Sequence, residues 1–261
     1  MKETILNKIK EIESKEKIKI LFAVESGSRA WGFDSPDSDY DVRFIYIRRM
    51  KDYLRIDSPS DVLEYAIMEN LDISGWDIKK TLILLKKSNP ALFEWFSSPI
   101  VYYQTEYFDK LKLLSREFYD QKTMAFHYFN VFLTHYKKHI ESKDIVRIKW
   151  YLYVLREIFS CKYVLDYNEN PPMKFEQLLS IYPNDLAMVP IDHLLNQKRN
   201  STTLKNVPLE QGIEDYILKS LDELPKRLAT LIDKENQFDM LNDFLFKGVE
   251  WYEDEITKTR I

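Results

Sequence analysis

The sequence predicts an α+β protein, with a modest sheet in the first hundred residues and helices after it. Only 5 of the 261 residues are glycine, and the many Leu, Ile, Lys, Glu and Tyr residues favour helix over an extended all-β design. Apolar runs in the first half have the length of buried strands, whereas the pattern from Phe108 onward is helical. The length exceeds the usual domain size of about 100–150 residues, so we predict domains over residues 1–105 and 106–261.

The first elements follow from local patterns of apolar residues. Isoleucines 5, 9 and 12 recur at helical spacing, which predicts a helix ending near residue 14 or 15. Residues 18–24 form an apolar run typical of a buried strand. A glycine turn at residues 25–29 follows, and residues 38–47 are predicted as a second strand.

A third extended stretch is predicted at residues 62–73. By alternation, Asp72 shares one face of this strand with Ala66, Met68 and Asn70. Residues 74–77 have the spacing of a capping box, in which Asp77 bonds back to the start of the next helix. That helix carries apolar residues 78, 82 and 85 and ends near Asn89-Pro90. A short helix and a connector are predicted over residues 92–103.

The second half reads as helices separated by polar loops. Helices are predicted over residues 108–118, 123–140, 145–165, 175–180, 190–197 and 210–231. Loops are predicted at Pro171-Pro172 and over residues 200–206.

Composition limits the possible function classes. The net charge of −4 argues against a wholly basic nucleic-acid binder but allows local basic patches. The lone Cys161 cannot form an internal disulfide, which fits a reducing compartment. No segment has the length of a membrane span and the N-terminus lacks signal-peptide features, so we expect a soluble cytoplasmic protein with no membrane partner. The sequence does not determine its oligomeric state.

The candidate catalytic residues lie around a glycine turn and an acidic strand. In a strand, Asp39 and Asp41 project from the same face, where they repel each other unless a cation lies between them. Mg²⁺ prefers such oxygen ligands and completes its shell with water and substrate phosphates. Upstream, Gly27 lets backbone N–H groups approach a phosphate. The pattern therefore indicates a site for a nucleoside triphosphate (NTP).

The same residues resemble a known enzyme superfamily. Gly27-Ser28, the Asp39-x-Asp41 pair and a later acidic strand residue resemble the signature of DNA polymerase beta-like nucleotidyltransferases. The wider strings at residues 25–33 and 38–44 resemble its branch of predicted RNA-ligase-associated nucleotidyltransferases. Further matches to this branch are Gly75-Trp76-Asp77 with Lys80, Ser88-Asn89-Pro90, Glu94-Trp95, Ser98-Pro99, Leu155-Arg156 and Pro171-Pro172-Met173.

The resemblance implies a small mixed sheet with flanking helices and a site for two Mg²⁺ ions held by three carboxylates. Asp39 and Asp41 take the place of the paired metal ligands, and Asp72 that of the third carboxylate. Asp77 remains the alternative to Asp72. The implied reaction is transfer of a nucleoside monophosphate from an NTP to an acceptor hydroxyl, and the branch name suggests RNA end repair.

Other charged residues are candidates for contacts with the triphosphate or acceptor. Ser28 would bind phosphate and Arg29 would add a charge-assisted bond, although Arg29 could equally pair with Asp34 or Asp37. Lys80, Lys149 and Arg156 are further candidates. The last two lie seven residues apart and so share a helix face. A solvated surface is their alternative role.

Aromatic residues and histidines in the second half raise two more hypotheses. Trp150 and its tyrosine neighbours could stack a base, but tyrosines at this spacing more often belong to a core. Histidines 127, 135 and 139 fall on one helical stripe, but they lack the acidic residue of a metalloprotease motif, which argues against zinc.

The leading hypothesis is a Mg²⁺-dependent nucleotidyltransferase, with RNA as a possible acceptor. One alternative is a non-catalytic module that binds nucleic acid or protein. Another is an antitoxin-like partner that nucleotidylates a toxin.

Overall fold

A five-stranded sheet lies in the first part of the chain in the computed structural model, which describes residues 1–65, 70–184, 188–200, 206–235 and 237–258. Its strands are β1 (Lys19–Glu25), β2 (Tyr40–Ile47), β3 (Val62–Glu64), β4 (Leu71–Asp77) and β5 (Val101–Gln104). The spatial order is β3-β4-β2-β1-β5. Only β2 and β4 pair in parallel; the other neighbours are antiparallel. The predicted α+β class with a small mixed sheet is confirmed.

The parallel pairing of β2 with β4 depends on a glycine. Gly75 lies opposite Phe44 in the register, and a Cβ atom at Gly75 would lie 2.2 Å from the Phe44 ring. The ring is fully buried over the glycine backbone. Any larger residue at position 75 would displace this ring, so Gly75 has a packing role in the centre of the sheet.

Helices alternate with these strands along the chain. They are α1 (Lys2–Glu16), α2 (Gly27–Trp31), α3 (Met50–Tyr53), α4 (Ile78–Lys86), α5 (Pro90–Phe96) and α6 (Glu106–Ser115), which a 3₁₀ turn (Arg116–Phe118) extends. The isoleucines at 5, 9 and 12 are buried, as the spacing predicted. Proline 90 begins α5 after its N-cap Asn89, and Trp95 of this helix stacks on Trp76 of β4 at 3.8 Å.

The second half of the chain is mostly helical. Its helices are α7 (Gln121–His139), α8 (Ile148–Tyr167), α9 (Phe175–Ser180), α10 (Met188–Asn200) and α11 (Gln211–Leu228). The final helix, α12 (Asp239–Lys258), packs against α4. Two short strands, β6 (Ile145–Arg147) and β7 (Asn206–Pro208), also pair here, so residues 145–147 are strand rather than the predicted start of a helix.

Several element predictions were wrong. The single stretch predicted over residues 62–73 is two antiparallel strands, and Asn70 has φ 66°, a turn conformation. Ala66 and Met68, predicted to share a face with Asp72, lie outside the described residues. Serine 74 and Gly75 belong to β4, so the capping box does not form. Strand β5 and helix α12 were not predicted.

Contacts between Cα atoms group the chain into two units that interleave in sequence. The first contains residues 1–27, 39–119 and 235–261, and the second contains residues 28–38 and 120–234. Residues 106–119 thus group with the sheet, although the prediction placed them in the second domain. The domain boundary at residue 105 stays a prediction. Among the described helices, none is both long and apolar enough to cross a bilayer.

Candidate active site

Two acidic side chains lie side by side where β2 and β4 begin. The register pairs Asp41 directly with Asp72. Neighbouring strands lie about 4.8 Å apart, so the two carboxylates emerge close together. Their side chains are 30% and 32% exposed, which leaves both accessible from solvent. The structure therefore brings Asp72, and not Asp77, next to Asp41.

Arg43 bridges these two carboxylates. Its Nη2 atom lies 2.7 Å from Oδ2 of Asp72 and 3.4 Å from Oδ1 of Asp41. Its Nη1 atom donates to the backbone carbonyls of Val42 and Asp72, at 3.0 and 3.2 Å. The backbone bonds fix the guanidinium, so a positive charge is held between the two acidic groups.

Glu25 fixes the backbone beside Asp41. This glutamate ends β1 and is completely buried. Its Oε1 accepts a hydrogen bond of 2.8 Å from the backbone N–H of Asp41, and its Oε2 accepts one from the Tyr102 hydroxyl. The backbone N–H of Ser26 donates to the Asp41 carbonyl at 2.8 Å. These bonds tie the end of β1 to the start of β2.

Gly27 lies against the Asp41 carboxylate. Its φ is 62°, in the left-handed region, and a Cβ atom there would lie 2.3 Å from Oδ2 of Asp41. Because of both features, any other residue at position 27 would be strained. The glycine turn and the acidic strand, which were predicted separately, therefore meet at Asp41.

Asp39 is not part of the strand. Strand β2 begins at Tyr40, so the alternation that placed Asp39 and Asp41 on one face does not extend to Asp39, which is exposed. Over the described ranges, no group of three or more His, Cys, Asp or Glu side chains is arranged to hold a metal ion. The three-carboxylate site thus stays a prediction, of which the structure brings Asp41 and Asp72 together.

Ser28 and Arg29 follow Gly27 in α2 and belong to the second unit. Nη1 of Arg29 pairs with Asp34 at 3.1 Å, and its Nη2 donates to the Ser38 carbonyl at 2.6 Å. The predicted alternative, pairing with Asp34, is confirmed. Phosphate contacts by Ser28 and Arg29 stay predictions.

Asp77 and Lys80 lie at the far end of β4 from Asp72. Four residues of β4 lie between Asp72 and Asp77, which puts their Cα atoms roughly 16 Å apart. Asp77 is the N-cap of α4 and accepts from the Lys79 N–H at 2.8 Å, so its capping role is confirmed. Burial raises its pKa to about 6, although the Lys79 N–H, Tyr53 and Arg48 favour the charged form. Lys80 pairs with Asp61 at 3.3 Å, and the structure does not bring it to Asp41.

Lys149 and Arg156 lie on α8, within the second unit. Arg156 is buried, with its guanidinium carbon 4.4 Å from the centre of the Trp31 ring in α2. Lys149 lies partly exposed at the start of α8, with Nζ 4.6 Å from the centre of the Trp150 ring. Their predicted contacts with triphosphate or acceptor stay predictions.

Two histidines of the α7 stripe, His135 and His139, face α8. His135 bonds to Glu157 through Nδ1 at 2.8 Å, and His139 stacks on Trp150. Tyr151 is fully buried, and its hydroxyl accepts the Glu210 N–H, which agrees with a core role for this tyrosine. The described neighbours of His135 and His139 thus include side chains of α8.

Arg43 and Glu25 were not among the predicted site residues. Alternation along β2 puts Arg43 on the same face as Asp41, so the charge partner could have been predicted. The buried role of Glu25 was harder to predict, because a carboxylate at the end of an apolar strand more often faces solvent.

Comparisons with known proteins show where the chain belongs. The family described as RlaP, the RNA repair pathway DNA polymerase beta family, matches residues 1–247. The uncharacterized protein YcgL of Bacillus subtilis (strain 168) is 38% identical over 257 residues, covering 96% of this chain and 97% of that protein. The crystal structure of a nucleotidyltransferase-like protein from Exiguobacterium sibiricum 255-15 is 15% identical, with a TM-score of 0.33, covering 87% of this chain and 75% of that one. This chain belongs to the RNA repair pathway DNA polymerase beta family.

Proposed function

We propose that this protein is a Mg²⁺-dependent nucleotidyltransferase that moves a nucleoside monophosphate from an NTP to an acceptor hydroxyl, in RNA end processing or repair. One observation carries the proposal: the parallel β2–β4 register, which sets Asp41 beside Asp72. Gly27 packs on the same carboxylate, as a phosphate-binding turn next to a metal ligand requires. Membership of a polymerase beta family supports the same reaction class.

The residues fit Mg²⁺ by their donor chemistry. Mg²⁺ takes oxygen ligands, commonly one or two protein carboxylates together with substrate phosphates. Asp41 and Asp72 converge on a single cationic group of Arg43, so the site already attracts positive charge. These two carboxylates, with Asp39 as the third predicted ligand, would hold the ions. When bound, Mg²⁺ would neutralise the charge that develops on the phosphate oxygens.

The reaction forms one phosphorus–oxygen bond and breaks another. The acceptor oxygen attacks the α-phosphorus in line, and pyrophosphate leaves with the electron pair of the broken bond. Asp72 would accept the hydroxyl proton. Of the two carboxylate oxygens of Asp72, Arg43 contacts Oδ2, which leaves Oδ1 for this role. Gly27 and Ser28 would bind the β- and γ-phosphates, with Arg29 as a further cation.

The same guanidinium favours a second candidate, a non-catalytic binding module. Arg43 compensates the charges of Asp41 and Asp72 without any metal, so the pair is stable as a purely structural element. In that case the fold would serve binding alone. The two candidates differ in whether Asp41 is needed for transfer of a nucleotide.

The test is incubation of the purified protein with each of the four α-labelled NTPs, Mg²⁺ and acceptors of RNA, DNA or cellular protein. We expect label transfer by the native protein and a loss of about 100-fold or more in Asp41→Asn and Asp72→Asn. Asp61→Asn is the matched control, since it makes the same change of charge at the far end of β4. Equal transfer by all variants, or no transfer to any acceptor, would favour the non-catalytic candidate. Labelled protein in place of labelled RNA would favour the antitoxin-like alternative.

A further inference from the structure

A basic aromatic patch lies where α7 ends and α8 begins, within the second unit. We define it as Lys138, His139, Arg147, Lys149 and Trp150. The rings of His139 and Trp150 stack with centroids 3.5 Å apart and 6° between their planes. The ammonium of Lys149 lies 4.6 Å from the centre of the Trp150 ring. Three cations and a pair of parallel rings therefore share one small area.

The charge of this segment is opposite to that of the whole chain. Five of residues 137–149 are Lys or Arg and two are acidic, whereas the chain carries a net charge of −4. The pKa of His139 is lowered first by burial and then by Lys138, His135, Lys149 and Arg147. Among the described residues, no ion pair compensates Lys138, Arg147 or Lys149. Repulsion between these cations is thus not relieved within the described structure.

Packing of the two helices does not require the patch. Helices α7 and α8 pack against each other, and each carries fully buried side chains, such as Phe132 of α7 and Leu155 of α8. Trp150 and His139 are only partly buried at the helix ends, and Arg147 is exposed. Because like charges held together destabilise a fold, their grouping indicates a role other than stability.

We infer that the basic aromatic patch binds single-stranded nucleic acid. Its three cations match the regular negative charge of a sugar-phosphate backbone, and its flat rings match the faces of unpaired bases. A duplex hides those faces, and an acidic protein surface lacks them. The inference names the acceptor class for the proposed transfer and in that sense rests on the proposed function. Its test needs neither NTP nor Mg²⁺, so binding and transfer can fail independently.

The experiment measures fluorescence anisotropy of labelled strands of about 12 nucleotides, as RNA and as DNA, with a duplex and polyglutamate as competitors. We expect single strands to bind with an affinity that falls steeply between about 50 and 200 mM salt. The variant Arg147→Ala/Lys149→Ala should bind at least about tenfold more weakly, with a salt slope reduced by about two. Trp150→Leu should weaken binding more than Trp150→Phe, which keeps an aromatic face.

The matched control is Lys219→Ala/Lys226→Ala on α11, which removes the same charge from exposed positions of the same unit. Circular dichroism and thermal unfolding establish that each variant is folded. Tighter binding of RNA than of DNA identifies RNA as the source of the strand, and equal binding supports recognition of single strands in general. Three results would overturn the inference. The patch and control variants could bind with equal affinity, or the native protein could fail to bind single strands at low salt. Duplex or polyglutamate could also compete as strongly as single strand does.

Discussion

At the scale of single residues, the charge balance of the site depends on Arg43. Paired residues on neighbouring strands lie about 5 Å apart. Two carboxylates at that distance repel each other by roughly 3 kcal/mol at an effective dielectric constant of about 20. Solvent screens part of this repulsion, because the side chains of Asp41 and Asp72 are each about a third exposed. The guanidinium offsets the repulsion in the absence of metal. Arg43 therefore acts as a positioning residue, which holds the side chains of Asp41 and Asp72 together.

We predict that Arg43→Ala lowers the free energy of unfolding by about 1 kcal/mol in EDTA, since the cation between Asp41 and Asp72 is lost. Mg²⁺ should then stabilise the variant more than the native protein, because the ion relieves the restored repulsion. Urea unfolding with and without Mg²⁺ measures both effects. Arg55→Ala, which removes an exposed Arg–Asp pair, is the control and should leave the response to Mg²⁺ unchanged. An equal Mg²⁺ effect in all three proteins would refute this role of Arg43.

Gly27 and Gly32 allow backbone strain to be separated from contact with the site. Both have positive φ, but a Cβ atom at Gly27 would collide with Asp41, whereas one at Gly32 has nothing within 4 Å. Each change to alanine should cost about 1 kcal/mol of stability through strain. Only Gly27→Ala should also lower kcat/KM, by about 100-fold, because it displaces the Asp41 carboxylate. If transfer falls equally in both variants, the close approach of Gly27 to Asp41 has no catalytic significance.

At the level of helices and strands, local sequence patterns predicted individual elements better than they predicted which strands pair. The spacing of apolar residues alone predicted the buried face of α1 and the exact bounds of α9. Apolar runs predicted the first two strands. Strand β5 was missed because four partly exposed residues form it only by pairing with β1. Strand β4 was cut short because Ser74-Gly75 resembles a turn, although Phe44 packing explains that glycine. Tertiary contacts thus override local propensity in both strands.

The N-cap of α4 makes stability depend on pH. Burial raises the pKa of Asp77 to about 6 in the folded protein, above its ordinary value. The folded state therefore binds this proton more tightly, so the contribution is present at low pH and is lost as pH rises from about 4 to 6, a change of about 2–3 kcal/mol. Asp77→Asn should flatten this part of the pH profile in urea unfolding. Asp222→Asn, at an exposed position on α11, should retain it. An unchanged slope in Asp77→Asn would mean that other groups cause the pH dependence.

Across the whole first unit, helices from distant parts of the chain provide the side chains that pack beside the sheet. Phe22 of β1 stacks on Phe108 of α6 at 3.6 Å, and both rings are buried. In α12, Gly248 lets the Tyr107 side chain approach so closely that a Cβ atom would lie 2.5 Å from its hydroxyl. The pairing of Asp41 with Asp72 likewise spans some thirty residues. Sequence patterns could identify these residues but not the crossover that brings them together.

A chain that ends at residue 105, the predicted domain boundary, shows whether the first domain folds alone. Such a fragment lacks α6 and α12, so it exposes Phe22 and loses the buried contacts of both helices. Full burial of each large apolar side chain contributes about 1.5–3 kcal/mol, and total stabilities are about 5–15 kcal/mol, so the fragment should not fold cooperatively. Urea unfolding followed by fluorescence and circular dichroism tests this, with the full chain carrying Phe108→Ala as the comparison. That variant should remain folded but lose about 3–5 kcal/mol. A single cooperative transition of the fragment would establish residues 1–105 as an independent domain and assign α6 and α12 a peripheral role.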